Sequence, residues 1–172
     1  MITMLVALLS IGAQAQEKGD FAIGLHTGIT SNKFEIEGLH VKETTTQFGL
    51  GAFGQYNLSK HWRTELEGIY HFKKNSVSDF QVGLNFHYLF NIGEVVRIYP
   101  LLGYALCFVH QDEIKDGNVT IEADNDIDGG IQLGAGLQVN ITDNWFATGE
   151  YRWQPGIFGD GNVFMLGVGY RF

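Results

Sequence analysis

The chain has 172 residues and a formal net charge of −8, with 23 Gly, 13 Phe, 7 Tyr and 3 Trp. That length is one domain by prior, and a composition rich in glycine and aromatics favours β structure over helix. The acidic balance argues against nucleic acid as a partner, because phosphate binding needs clustered Lys and Arg.

Residues 1–16 read MITMLVALLSIGAQAQ, an apolar run closed by Ala13-Gln14-Ala15, the small-x-small pattern of a cleavage site. We expect 1–15 to be a signal peptide, leaving Gln16 first, and 16–172 to form one barrel domain. The run lacks the usual early Lys or Arg. No later run reaches the ~18 apolar residues of a membrane-spanning helix. The one cysteine, Cys107, forms no intramolecular disulfide and reads as a small buried side chain.

Eight segments then alternate with period two, the signature of strands. In 21–30, Phe21, Ile23, Leu25 and Ile29 oppose Ala22, Gly24, His26 and Gly28. In 47–58, Phe48, Leu50, Ala52, Tyr56 and Leu58 oppose Gly49, Gly51, Gln55 and Asn57, and Phe53 breaks the pattern as a filler of interior space. The third strand sets Trp62, Leu66, Tyr70 and Phe72 against Arg63, Glu65, Glu67 and His71. The fourth, 79–90, sets Phe80, Val82, Leu84, Phe86, Tyr88 and Phe90 against Asp79, Gln81, Gly83, Asn85 and His87. Six large apolar groups on one exposed face would aggregate in water, whereas lipid requires them.

The fifth strand, 97–110, is the least decisive, with Ile98, Pro100, Leu102, Tyr104, Leu106 and Phe108 assigned outward and Gly103, Ala105 and Cys107 inward. The sixth, 130–140, opposes Ile131, Leu133, Ala135, Leu137 and Val139 to Gln132, Gly134, Gly136, Gln138 and Asn140. The seventh, 145–154, opposes Trp145, Ala147, Tyr151 and Trp153 to Phe146, Thr148, Glu150, Arg152 and Gln154. The eighth, 162–172, opposes Phe164, Leu166, Val168, Tyr170 and Phe172 to Val163, Met165, Gly167, Gly169 and Arg171.

Together these predict an all-β fold: an eight-stranded antiparallel up-and-down transmembrane β-barrel with apolar side chains outside and polar ones in the lumen. A lipocalin-like soluble barrel is the rival, but it needs the opposite arrangement. Links at 57–61, 91–96 and 141–144 are short, and those at 31–46 and 111–127 are long and polar. Such alternation of short and longer links distinguishes the two ends of an outer-membrane barrel and puts both chain ends on the periplasmic side. Aromatics crowd the strand ends, and Trp62, Tyr88, Trp145, Trp153, Tyr170 and Phe172 are assigned to the membrane interfaces.

The terminal Tyr170-Arg171-Phe172, ending a strand with a large apolar face, resembles the closing-strand signal of bacterial outer-membrane barrels. With the recurring alternation over 21–172, the chain is similar to small barrels of the OmpA/OmpX type, grouped as porin-family β-barrel proteins. The resemblance implies residence in the bacterial outer membrane, contact with the lipid bilayer and lipopolysaccharide, and recognition of the last strand by the barrel-assembly machinery. A monomer is expected. We expect no peptidoglycan-binding domain after Phe172, unlike in the larger barrels of this type, and no cell-wall tethering role.

Inward-facing Arg63, Arg152 and Arg171 balance Glu65, Glu67 and Glu150, and we expect them to form one lumen charge network. An eight-stranded barrel is just wide enough to be filled by side chains, and buried charges must pair. A structural plug is the first reading and a gated narrow pore the second. Asp124-Asn125-Asp126-Ile127-Asp128-Gly129 matches the opening half of a calcium loop, but the twelfth position is Ala135 rather than Glu. It is therefore a solvated acidic loop or a weak cation site built on Asp124, Asp126 and Asp128.

His26, His71 and His87 point inward and His40, His61 and His110 lie in connections or at strand ends, with no spacing that suggests zinc. No catalytic residue, metal or cofactor is assigned. The function expected is a non-enzymatic envelope scaffold or interaction protein. The alternatives are a narrow porin or, as the resemblance implies, a lipid A deacylase or acyltransferase. The enzyme would need a histidine with a Ser or acidic partner at the lipid-facing outer rim, where His71, Ser76, His110 and Asp112 are the nearest candidates.

Overall fold

The computed structural model describes residues 18–36, 41–74, 77–111, 114–116, 119–121, 124–157 and 160–172. The expected segment 1–15 lies outside these residues. The described elements are all strands: β1 Phe21–Ile36, β2 Val41–Asn57, β3 Trp62–Lys74, β4 Val77–Tyr88, β5 Phe90–Ile92, β6 Val96–Gln111, β7 Ile114–Asp116, β8 Val119–Ile121, β9 Asp124–Asn140, β10 Trp145–Pro155 and β11 Asp160–Arg171. β5 continues β4 after a break at Leu89, since both pair antiparallel with β6. β7 and β8 form a separate small hairpin.

The remaining strands pair in the order β4-β3-β2-β1-β11-β10-β9-β6, and β4 pairs in turn with β6. That last pairing closes an eight-stave antiparallel barrel, the architecture the alternation predicts. Closure matters because it leaves no open edge along the wall. First and last staves meet in a long ladder from Ala22↔Arg171 to Lys33↔Asp160.

Side-chain parity follows the sequence reading on every stave. Leu25, Leu66 and Leu166 are 62%, 60% and 69% exposed, while Arg63, His87 and Arg152 are 0% exposed. The fifth stave obeys the assigned parity too: Ile98, Leu102, Tyr104, Leu106 and Phe108 are outside, and Ala105 and Cys107 are buried inside. Phe53 does fill interior space, packing with Ala22 and Phe146.

Three short turns, at 58–61, 93–95 and 141–144, share one end of the barrel with the start of β1 and with Phe172. Ser59 Oγ accepts from the Trp62 amide at 3.0 Å and Thr142 Oγ1 from the Trp145 amide at 2.9 Å, locking two of these turns. Gly93, at φ 67°, supplies the left-handed residue of the third. Aromatic rings band this end: Trp62 on Tyr88, Tyr88 on Phe90, Trp145 on Tyr170, and Tyr170 and Phe21 on Phe172. A second band at the far end includes Phe48, Tyr70 and Phe72, with Tyr151 against Phe164.

The staves outrun the sequence reading at the far end. Residues 31–46 and 111–127 were expected as loops, yet β1 and β2 stay paired as far as Ile36↔Val41, and β6 and β9 as far as Gln111↔Asp124. Beyond the apolar belt both faces of a strand can meet water, so the hydrophobic alternation fades while the backbone ladder continues.

Candidate functional site

Alternation and closure together send one set of side chains to the axis, and there the polar residues converge. Arg152 is the hub. Its Nε and Nη2 donate to Glu150 Oε2 at 2.9 and 2.5 Å, Nη2 also reaches Glu65 Oε1 at 3.3 Å, and Nη1 bonds Glu67 Oε1. β10 and β3 are diametrically opposite in the stave order, so the Arg152 contacts to Glu65 and Glu67 cross the full width of the lumen.

Neutral groups complete this layer. Tyr99 OH donates to Glu150 Oε1 at 2.6 Å, Gln55 Nε2 to Glu65 Oε2 at 2.6 Å, and Asn85 Nδ2 to Glu65 and Glu67 at 3.2 and 3.0 Å. Gln132 links Asn85 to Gln154. Each carboxylate thus has charged and neutral donors, the condition under which buried charge is tolerated. Two glycines make the space: a Cβ at Gly83 would lie 2.7 Å from Glu67 Oε1, and one at Gly136 2.3 Å from the Tyr99 ring.

Of the six residues assigned to one charge network, four meet: Glu65, Glu67, Glu150 and Arg152. Arg63 and Arg171 do not join them. Arg63 donates to His87 Nδ1 and to Gln138, with its guanidinium 4.7 Å from the Tyr99 ring centre, and Arg171 Nη2 reaches Asn140. Arg97, absent from the sequence assignment, is a fourth buried arginine, at 2% exposure. Tyr99 was also missed. Its stave has an inward face that is mostly Leu101, Gly103, Ala105 and Cys107, so no polar alternation flagged it.

Glu65, His87 and Glu150 bring one oxygen or nitrogen each within 4.8 Å of one another, a spacing that fits a metal. The donor chemistry does not. Arg63 occupies His87 Nδ1, and a guanidinium can only donate, so Nδ1 accepts and Nε2 carries the proton. A protonated Nε2 has no lone pair to offer, and Arg152 already holds both carboxylates.

Near the far mouth, His71 Nδ1 meets Asp79 Oδ2 at 2.6 Å, its Nε2 meets Thr30 Oγ1 at 3.0 Å, and Cys107 Sγ donates to Asp79 at 3.2 Å. The order of hydroxyl, imidazole and carboxylate resembles a hydrolytic set. All three side chains are buried on the lumen side, and Ile157 packs over Ala105 and Cys107 beside them. His71 therefore does not sit at the lipid-facing rim, as the enzyme reading required. His110 is exposed there, while His40, Ser76 and Asp112 lie outside the described residues.

Asp124, Asp126 and Asp128 belong to the β9 ladder rather than a loop. Asp126 and Asp128 each accept the next residue's amide at 2.8 Å. A calcium loop has to wrap its ion, whereas a strand spaces alternate residues about 6.6 Å apart. Trp62, Tyr88, Trp145, Tyr170 and Phe172 stand in the turn-end band and Trp153, 41% exposed, towards the other end.

Comparison with known proteins follows the same lines. A family model described as "Outer membrane protein beta-barrel domain" matches residues 1–172. No curated protein sequence matches. Among solved structures, the N-terminal β-barrel domain of Pseudomonas aeruginosa OprF is 20% identical, covers 91% of this chain and 100% of its own, and superposes with a TM-score of 0.68. Neisserial surface protein A is 15% identical, with 90% and 98% covered and a TM-score of 0.65. Ail of Yersinia pestis is 20% identical, with 90% and 99% covered and a TM-score of 0.58. At these identities the likeness is one of fold.

Proposed function

We propose, from the premise that this chain belongs to the outer membrane protein β-barrel domain family, that it is a non-enzymatic envelope scaffold with a plugged lumen and contact-making outer hairpins. The protein is an eight-stranded barrel of the bacterial outer membrane. The observation that carries the plug is the Arg152 bridge, which spans the diameter and ties carboxylates of two opposite staves to one guanidinium. To pass an ion, the barrel must break several charge-assisted bonds at once in a low-dielectric space.

The experiment is conductance in planar bilayers of the wild type and of Glu67→Arg and Arg152→Glu. The plug reading expects a baseline trace from the wild type. Resolved wild-type openings whose size changes on either charge reversal would replace it with the narrow pore.

The absence of activity towards lipid A is supported by the inward direction of His71 and Asp79. An altered acyl pattern in lipid A mass spectra of a deletion strain would overturn it. We further assign 1–15 as a cleaved signal peptide, β11 as the strand read by the assembly machinery, and the monomer as the working state. Intact mass of the exported protein, cross-linking to the assembly machinery and light scattering in detergent test these in turn.

A further inference from the structure

The turn end of the lumen has an electrostatic character that the plug does not use. Arg63 on β3, Arg97 on β6 and Arg171 on β11 all lie there, beside the short turns, and all are buried. The described hydrogen bonds of Arg63 and Arg97 go to neutral acceptors. Arg63 Nη1 donates to Gln138 Oε1 at 2.6 Å, and its Nε and Nη2 to His87 Nδ1 at 3.0 and 2.9 Å. Arg97 Nε donates to Asn91 Oδ1 at 3.0 Å. Arg171 Nη2 donates to Asn140 Oδ1 at 3.2 Å and Nη1 to the Asp143 backbone carbonyl at 3.3 Å.

These are parts of one cluster. Gln138 Nε2 donates to Asn140 Oδ1 at 2.9 Å, coupling the Arg63 branch to the Arg171 branch, and Arg97 sits in the fields of both other guanidiniums. The carboxylates acting on Arg97 and Arg171 are Asp20, half-buried, and Asp143, exposed.

Arg97 supplies the second observation. Its Nη1 is buried and has no hydrogen-bond partner. A buried charged donor left without an acceptor is rare in folded proteins and marks the place of a water or an ion. An acceptor carrying negative charge answers that deficit, and the register sets Arg97 opposite Gln138, the residue that couples Arg63 to Asn140 and Arg171.

We propose that a small inorganic anion, chloride or inorganic phosphate, binds at the turn end of the lumen between Arg97, Arg63 and Arg171, with Arg97 Nη1 as its first donor. The site lies beside the short turns, so an ion entering from that end of the barrel need not pass the Arg152 bridge. The Gln138–Asn140 pair links the Arg63 and Arg171 sides of the site.

The test uses the full folded chain in a zwitterionic detergent, with equilibrium unfolding in sodium gluconate and in sodium chloride or phosphate at constant ionic strength. An anion present at ten times its dissociation constant raises the folding equilibrium constant about 11-fold. We expect that response from the wild type and less than twofold from Arg97→Gln. Asn91→Asp brings a carboxylate to the Arg97 guanidinium and should likewise abolish the response while the barrel folds normally, which a general salt effect cannot do. Crystals soaked in bromide should show an anomalous peak within hydrogen-bond reach of Arg97. Preference for chloride or phosphate identifies the ion. Response to neither, an equal response in wild type and Asn91→Asp, or no bromide peak overturns the site, and the Asn91→Asp arm decides even if Arg97→Gln does not fold.

Discussion

Arg152 and Arg97 are both buried guanidiniums on the inner wall of one barrel, yet their surroundings are opposite. Arg152 is held by three carboxylates from two facing staves, while Arg97 has one described side-chain partner, the amide of Asn91. The sequence sets three inward arginines against three glutamates, and Arg97 and Asp79 add one buried charge of each sign. These charges do not balance layer by layer: acid collects about Arg152 and base at the turn end. Neutrality summed along a sequence is thus a poor guide to pairing, because a pair needs two staves brought together at the same height.

The contrast is sharpest if each arginine is removed. Arg152→Met strands three buried carboxylates and should cost about 3–5 kcal/mol, read as a fall in the urea midpoint of vesicle-embedded protein. A loss below 1 kcal/mol would mean that the acids relax into water and that the bridge is not a plug. Leu166→Arg calibrates the scale on the lipid side of the same wall. A charge near mid-depth there should cost about 2–4 kcal/mol, and a neutral result would deny that Leu166 faces hydrocarbon.

Tyr99→Phe removes one donor from Glu150 but leaves Arg152 in place. About 1–2 kcal/mol should be lost in the same assay. Arg97→Gln is the smallest step. Apart from the anion effect it should change stability by less than about 1 kcal/mol in gluconate, since a neutral amide can still bond Asn91. A loss as large as that of Arg152→Met would erase the distinction between the two ends.

Most of the wall was legible beforehand, since lipid outside and a lumen inside force period two on every stave. Even Phe53, which breaks the rule, was readable as an interior filler because the wall needs both volume and polarity on its inner side. The site was less legible. Arg152 and Glu67 are 85 residues apart, and their meeting depends on stave order and shear that alternation does not encode. Arg97 and Tyr99 were hidden by an inward face of small and apolar residues. The far-end extensions of β1 with β2 and of β6 with β9 read as loops because strands wetted on both sides carry no hydrophobic beat.

The seam between β1 and β11 joins residues nearly a whole domain apart in sequence, Ala22 to Arg171. No partial assembly of the staves can be a stable halfway house: until the final strand arrives, two bare edges and a greasy wall remain. Closure of the wall therefore waits until β11 reaches β1, a contact of large sequence separation and so a costly one to form early. Losing that one seam undoes the cylinder as a unit, which makes it the natural place to cut or permute the molecule when its order of insertion is to be timed.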